Sequence, residues 1–200
     1  MKLRILTEYD VRAVLTMADT IPLQAEAFTL LAEGRTVEGL RSYAMSETPP
    51  GVAIFNPSFL KEGKGYGIKV VSDFYENSSR GAPRMSALVA LFDGQTGLPR
   101  TVMEGGYLTD WRTGAGTALA AQYLARAESR TLAVIGAGRV ACNQLAALCE
   151  VCPIEKVRLS TRTEARALEF IERMAAAGGP VPTDIELVAQ ALRETGVPFR

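Results

Sequence analysis

The stretch that most limits what this chain can fold into lies between Thr131 and Ala177. A short β-rich apolar run, Thr131–Ile135, stops at Gly136-Ala137-Gly138-Arg139-Val140-Ala141, and a helical pattern continues from Arg139 to Glu150. Val157–Ser160 then predicts a second strand and Thr163–Ala177 a second helix. Strand, helix, strand, helix with short connections is the opening of a parallel sheet, so the fold class is α/β.

The turn between the first strand and its helix has a chemical meaning in that setting. Gly136 permits a tight turn, Gly138 lets a phosphate group approach the backbone, and Ala141 lets the helix pack closely on the strand. The helix N-terminus then points its amides at negative charge. A GxGxxA run alone is a weak signal, but one that leaves a strand and opens a helix fits the pyrophosphate of a nicotinamide dinucleotide. Gly136, Ala137, Gly138, Arg139, Val140 and Ala141 are therefore candidate cofactor contacts. Where the second strand ends, an acid would bind the ribose 2′-hydroxyl of NAD; Ser160-Thr161-Arg162-Thr163 stands there instead. An arginine flanked by hydroxyls suits a 2′-phosphate, which favours NADP over NAD and makes Arg162 and Thr163 candidates. As a solvated residue near a helix start, Arg162 would need no ligand at all.

The preceding residues read differently. Thr7 with Asp10 forms a capping signal before Val11, Val14 and Leu15, and Pro22 is placed in the first turn of a second helix that Gly34 terminates. Strands are predicted at Val52–Phe55, Gly67–Val71, Ser86–Phe92 and Thr101–Met103, with Asp93–Gly97 as a hairpin turn. A helix is predicted from Asp110 to Ala127, with Gly114 and Gly116 weakening its first turn unless another backbone packs closely there. The boundary falls near Arg130. Residues 1–130 are expected to form a mixed α+β domain, and residues 131–200 the first part of a Rossmann domain.

Composition removes several classes of function. The sequence holds no histidine, which excludes Ser-His triads, histidine acid–base chemistry and most metal sites. Lysine and arginine balance aspartate and glutamate at 22 each, so no field of one sign attracts nucleic acid or an anionic membrane. Charged residues follow Leu6 too soon for a signal-peptide core, and no run reaches transmembrane length, so a cytoplasmic location is expected. Of the three cysteines, Cys142 and Cys149 share a helix face and read as small core hydrophobes, and Cys149 with Cys152 makes a single CxxC without further metal ligands.

Three ordered motifs extend the reading: Gly67-Ile68-Lys69-Val70, then Gly106-Tyr107-Leu108-Thr109-Asp110-Trp111-Arg112-Thr113, then Ala118–Ala125 leading into Val134–Gly138. In this order they resemble the ornithine cyclodeaminase/mu-crystallin family over about Gly65 to Phe170, and around Lys69 and Tyr107–Arg112 they look like its ectoine-utilisation branch. The resemblance implies a Rossmann domain beside a substrate domain that also builds a homodimer. It also implies NAD(P)-dependent hydride transfer at the carbon bearing an amino or imino group of a small α-amino or imino acid. Carried over by motif, Lys69 and Arg112 become carboxylate contacts with a catalytic part. Arg41 is the nearest candidate for a further substrate arginine, with Tyr43 and Met45 competing for that place, and Thr113 falls near the cofactor phosphates. Without the resemblance, Lys69 reads as an edge-strand charge and Arg112 as a helix-start residue pairing with Asp110. Members of the family are longer, and their catalytic aspartate lies in the later part, so the Rossmann unit is expected to be incomplete here. Neither Asp184 nor any other residue inherits that aspartate's role. A catalytically incomplete dinucleotide-binding protein and a structural fragment are the competing expectations.

Overall fold

A computed structural model of the chain describes residues 2–61, 63, 65–177, 181 and 185–187; Asp184 and most of the Gly178–Pro182 stretch lie outside them. The chain forms two compact units, Met1–Thr16 with Glu26–Thr109, and Met17–Ala25 with Asp110–Arg200.

The first unit is built on one seven-stranded sheet. Its strands are β1 (Arg4–Leu6), β2 (Thr36–Glu38), β3 (Ser42–Glu47), β4 (Pro50–Leu60), β5 (Gly65–Phe74), β6 (Met85–Phe92) and β7 (Pro99–Glu104). The order is β1-β7-β6-β5-β4-β2, with β3 also on β4, and every pairing is antiparallel except β1 with β7. Helix α1 (Glu8–Val14) opens on the expected capping box: the Thr7 hydroxyl accepts from the Asp10 amide at 3.3 Å, and the Asp10 carboxylate accepts from the Thr7 amide at 2.8 Å. The Thr7 hydroxyl also donates to the Asp10 carboxylate at 2.6 Å, and this bond first, with that from the Thr7 amide, holds the Asp10 carboxyl below its ordinary range. Val11 is buried as expected, but Val14 is 75% exposed.

The four predicted strands are all present and longer, because the pairing partners extend each ladder beyond its apolar centre. The hairpin turn closes through Asp93, whose carboxylate accepts from the amides of Gln95 and Thr96 and from the Thr96 hydroxyl, and so sits below its ordinary pKa. Phe59, Tyr66 and Phe92, one per strand in register, stack at centroid distances of 5.1 and 4.7 Å.

Helix α2 (Met17–Ala32) contributes residues to both units. Pro22 lies inside α2 and not in its first turn, a correction to the sequence reading, since the helix begins at Met17. Gly34 caps it as expected, in the left-handed region at φ 66°, with Arg35 N–H donating to Leu30 O.

The second unit carries β8 (Thr131–Ile135), α4 (Arg139–Val151), β9 (Lys156–Ser160), α5 (Glu164–Ala177) and β10 (Ile185–Leu187) after helix α3 (Gly106–Leu124). The three strands are parallel in the order β10-β9-β8. This is the α/β, Rossmann-type arrangement that the turn at Gly136 requires, following a mixed α+β region. Its core is Leu145, Val157, Leu159 and Phe170, all fully buried, with Cys149 and Met174 packed in and Cys142 half-buried against them. Cys142 and Cys149 thus act as small hydrophobes. Burial raises both thiols, that of Cys149 to about 11.

Helix α3 begins at Gly106, four residues before the predicted start at Asp110. The reason is a cap from β7: the Glu104 carboxylate accepts from the amides of Gly106 and Tyr107, the latter at 3.0 Å. Gly114 and Gly116 consequently sit in the helix interior. A Cβ on Gly114 would lie 2.7 Å from Asn143 O and 3.2 Å from the Ala147 side chain, so close helix packing explains this glycine. Gly116 has only the Gln24 side chain at 4.0 Å, and packing does not account for it. Ala115, Ala118, Leu119 and Ala147 join Met17 and Ile21 in the cluster that locks α3 to α4.

Candidate dinucleotide and substrate site

In the second unit, the turn behaves as two different glycines. Gly136 has φ 97°, a conformation that favours glycine whatever lies in front of it. Gly138 is the N-cap of α4 with φ −86° and ψ 178°, ordinary extended backbone, and a Cβ built on it would meet nothing within 4 Å. Neither backbone strain nor packing calls for glycine at 138. Glycine is also an ordinary N-cap residue, and the open space leaves room for the close approach that a pyrophosphate requires at the second glycine of such a turn. Gly136, Gly138, Val140 and Ala141 line a groove of about 440 Å³ whose wall is β8 and the inner face of α4. Ala137 packs on the core instead.

Two arginines hold this turn from the protein side. Arg173 of α5 donates to Ala137 O at 2.8 Å, and Arg139, the first residue of α4, pairs with the buried Asp110 of α3 at 2.5 Å. Sequence reasoning assigned Asp110 only as a possible partner of Arg112 and gave Arg173 no role. Arg173 lies 36 residues beyond Ala137, and no local pattern joins them.

At the end of β9, the Thr161 hydroxyl donates to Thr163 O at 2.6 Å, closing a small loop around the exposed Arg162. Thr163 Oγ1 accepts from the Arg166 amide at 3.4 Å, so it caps α5. Arg112 is exposed on α3 and Thr113 half-buried. In the first unit, Lys69 is half-buried on β5, opposite Asn56 on one side and Val89 on the other. Arg41 is exposed in the break between β2 and β3, one residue before the β3–β4 ladder begins with Ser42 opposite Phe55. Tyr43 and Met45, the competitors of Arg41, pair further along with Ile54 and Val52.

The sequence matches the model of the ornithine cyclodeaminase/mu-crystallin family over residues 1–192. The chain belongs to that family. The match is wider than the Gly65–Phe170 stretch that the motifs alone delimit. A Δ(1)-pyrroline-2-carboxylate reductase of Bacillus cereus is 33% identical over 168 residues, covering 84% of this chain and 52% of the reductase. Among solved structures, the Δ(1)-pyrroline-2-carboxylate reductase of Thermococcus litoralis, in complex with NADH and L-proline, superposes with a TM-score of 0.86 at 34% identity. That likeness covers 96% of this chain and 58% of the reductase. A lysine cyclodeaminase studied for recognition of L-lysine, L-ornithine and L-2,4-diaminobutyric acid gives 0.79 at 30% identity, covering 94% of this chain and 56% of the other. The chain thus spans little more than half the length of the relatives it matches. No helix among the described residues is long and apolar enough to cross a membrane.

Proposed function

We propose that the chain belongs to an NAD(P)-dependent reductase of small cyclic imino acids, of the Δ(1)-pyrroline-2-carboxylate class. The observation that carries this reading is Gly138: an ordinary backbone conformation, open space where a Cβ would stand, and a groove along β8 and α4 that reaches the start of the helix. The identity to two reductases of that class supports it. A bound dihydronicotinamide supplies the hydride that reduces a carbon bearing an imino nitrogen. The residues of this chain do the rest. Gly136–Ala141 receive the pyrophosphate, with Thr113 nearby on the preceding helix, and Arg162 with Thr163 meets the adenosine ribose. The guanidinium of Arg112 holds the substrate carboxylate bidentately, Lys69 adds charge and delivers a proton to the imine nitrogen, and Arg41 is a further carboxylate contact. Residues 1–130 are the substrate and dimerisation part in this reading. Partly exposed apolar side chains on both faces of the first sheet, Leu88 at 45% and Leu91 at 41%, support a homodimer. Free cysteines fit a reducing, cytoplasmic setting.

The finer placement in the ectoine-utilisation branch rests on the residues around Lys69 and Tyr107–Arg112 alone, and the reductase reading is preferred to it. The test is oxidation of NADPH and NADH by the full reading frame with Δ(1)-pyrroline-2-carboxylate, beside ornithine with the oxidised cofactors. Imine reduction is expected, and Arg112→Met and Lys69→Met should each remove about 2–4 kcal/mol of transition-state stabilisation. Turnover of ornithine without imine reduction would move the protein to the cyclodeaminases. Binding of the dinucleotide without any turnover would leave a binding protein.

A further inference from the structure

The first turn of α4 is an unfavourable place for a cation, because the helix dipole there favours negative charge. The sequence nevertheless puts Arg139 at the first position of that helix, with 53% of its side chain exposed. Its Nε lies 2.5 Å from the carboxylate of Asp110, whose own side chain is only 7% exposed. A carboxylate buried to that degree is costly unless it is paired, so Asp110 is committed to its partners. The Asn143 side chain donates to Arg139 O at 3.2 Å, and the Gly114 contact with Asn143 O brings α3 and α4 together one turn further on. A guanidinium has donors on two edges, and one edge here is taken by a buried acid while the side chain stays half in solvent. That is an arrangement for meeting a second anion.

We propose that Asp110 is a positioning residue of the dinucleotide turn: it fixes the Arg139 guanidinium at the start of α4 so that its remaining donors engage the pyrophosphate. The inference rests on the cofactor reading above. The pair also ties the segment of α3 that carries Arg112 and Thr113 to the turn, so the two halves of the second unit's site keep one geometry.

The test uses the full chain with Asp110→Asn, Arg139→Gln, the double variant and Arg139→Lys. NAD+, NADP+, ADP and adenosine are titrated by calorimetry, and hydrogen exchange is followed without ligand at the Cys142 and Asn143 amides, the first in α4 with a backbone acceptor. Each single variant should weaken NAD+ and ADP about tenfold and leave adenosine nearly unchanged, since adenosine has no phosphate. The double variant should be no weaker than the weaker single, because both changes break one unit. Arg139→Lys should recover part of the loss, as it keeps charge without the fork. Exchange at the start of α4 should quicken in Asp110→Asn. If a single variant unfolds, the double variant, which strands no buried charge, carries the measurement. NAD+ and ADP bound by a folded double variant as by wild type would overturn the inference and leave the cofactor reading standing, as would an equal loss for adenosine. Failure of wild type to bind any of NAD+, NADP+ and ADP would overturn the cofactor reading, and this one with it.

Discussion

The opening of α4 and the crossing of α3 over α4 use the same residue type for opposite reasons. At Gly138 the space in front of the backbone is empty, and at Gly114 it is full. The open position leaves room for a group from outside the chain, while the full one serves the packing of the fold. The contrast sorts the second unit into a packed part, from Gly114 to Ala147 and Phe170, and an open part where Gly136, Gly138 and Val140 line the groove. Substitutions in the packed part should cost stability, and those in the open part should cost binding.

The largest effect is expected at Gly114→Val. Its side chain would meet a carbonyl oxygen at 2.7 Å and a methyl at 3.2 Å on the neighbouring helix, neither of which can move without separating α3 from α4. The expected loss is about 3 kcal/mol or more, read from denaturant unfolding. A variant of wild-type stability would show that the two helices are not held at this distance in solution.

Gly138→Val is the matching change in the open part. It should fold with a near-normal midpoint, since nothing stands within 4 Å of the new Cβ, yet lose about a hundredfold or more in NADH and NADPH affinity. A folded variant that binds both as wild type does would end the assignment of this turn as the phosphate site.

The same division explains what could be read before the structure. The Rossmann-type order, the capping box at Thr7 and the hairpin at Asp93 are local patterns, each decided within a few residues. Strand β1 escaped notice because three residues are ordered only by pairing with Thr101–Met103, far along the chain. Strand β2 is too short to show an apolar pattern and the alternation of Tyr43 and Met45 in β3 spans only two exposed side chains, so both strands take their conformation from β4. The start of α3 was misplaced because its cap comes from Glu104, on a strand outside the helical pattern. Of the site, the glycines were legible and their supports were not: Asp110 and Arg173 reach the turn through tertiary contacts that no spacing rule encodes.

At the edge of the open part, Arg162 is the residue expected to discriminate between cofactors. The loop that Thr161 closes onto Thr163 leaves it exposed, without an acid at the strand end to favour an unphosphorylated ribose. Arg162→Ala should weaken NADPH by about one to two decades, near 1.5–3 kcal/mol, and leave NADH almost unchanged. Equal losses for both, measured by calorimetry, would return Arg162 to the role of a solvated surface residue.

The smallest effect belongs to the packed part and depends on pH. Cys149 is 8% exposed in the core of the second unit, and desolvation raises its thiol from an ordinary 9.0 to about 11. The neutral thiol is therefore favoured in the folded state, and between those two values the folded protein binds more protons than the unfolded chain. Stability from this group is complete below pH 9 and falls as pH rises from there through about 11. At pH 10 the loss is about 1 kcal/mol, from the free energy of one pKa unit discounted for partial solvent access. Cys149→Ala creates its own deficit by leaving a small void, but that deficit does not change with pH, so the comparison lies in slopes rather than in midpoints. Denaturant unfolding of both proteins at pH 8 and pH 10 should show wild type losing about 1 kcal/mol more than the variant over that interval. Parallel losses would mean that the Cys149 thiol reaches water in the folded protein and that this part of the second unit is less tightly closed than its neighbours Leu145 and Phe170 imply.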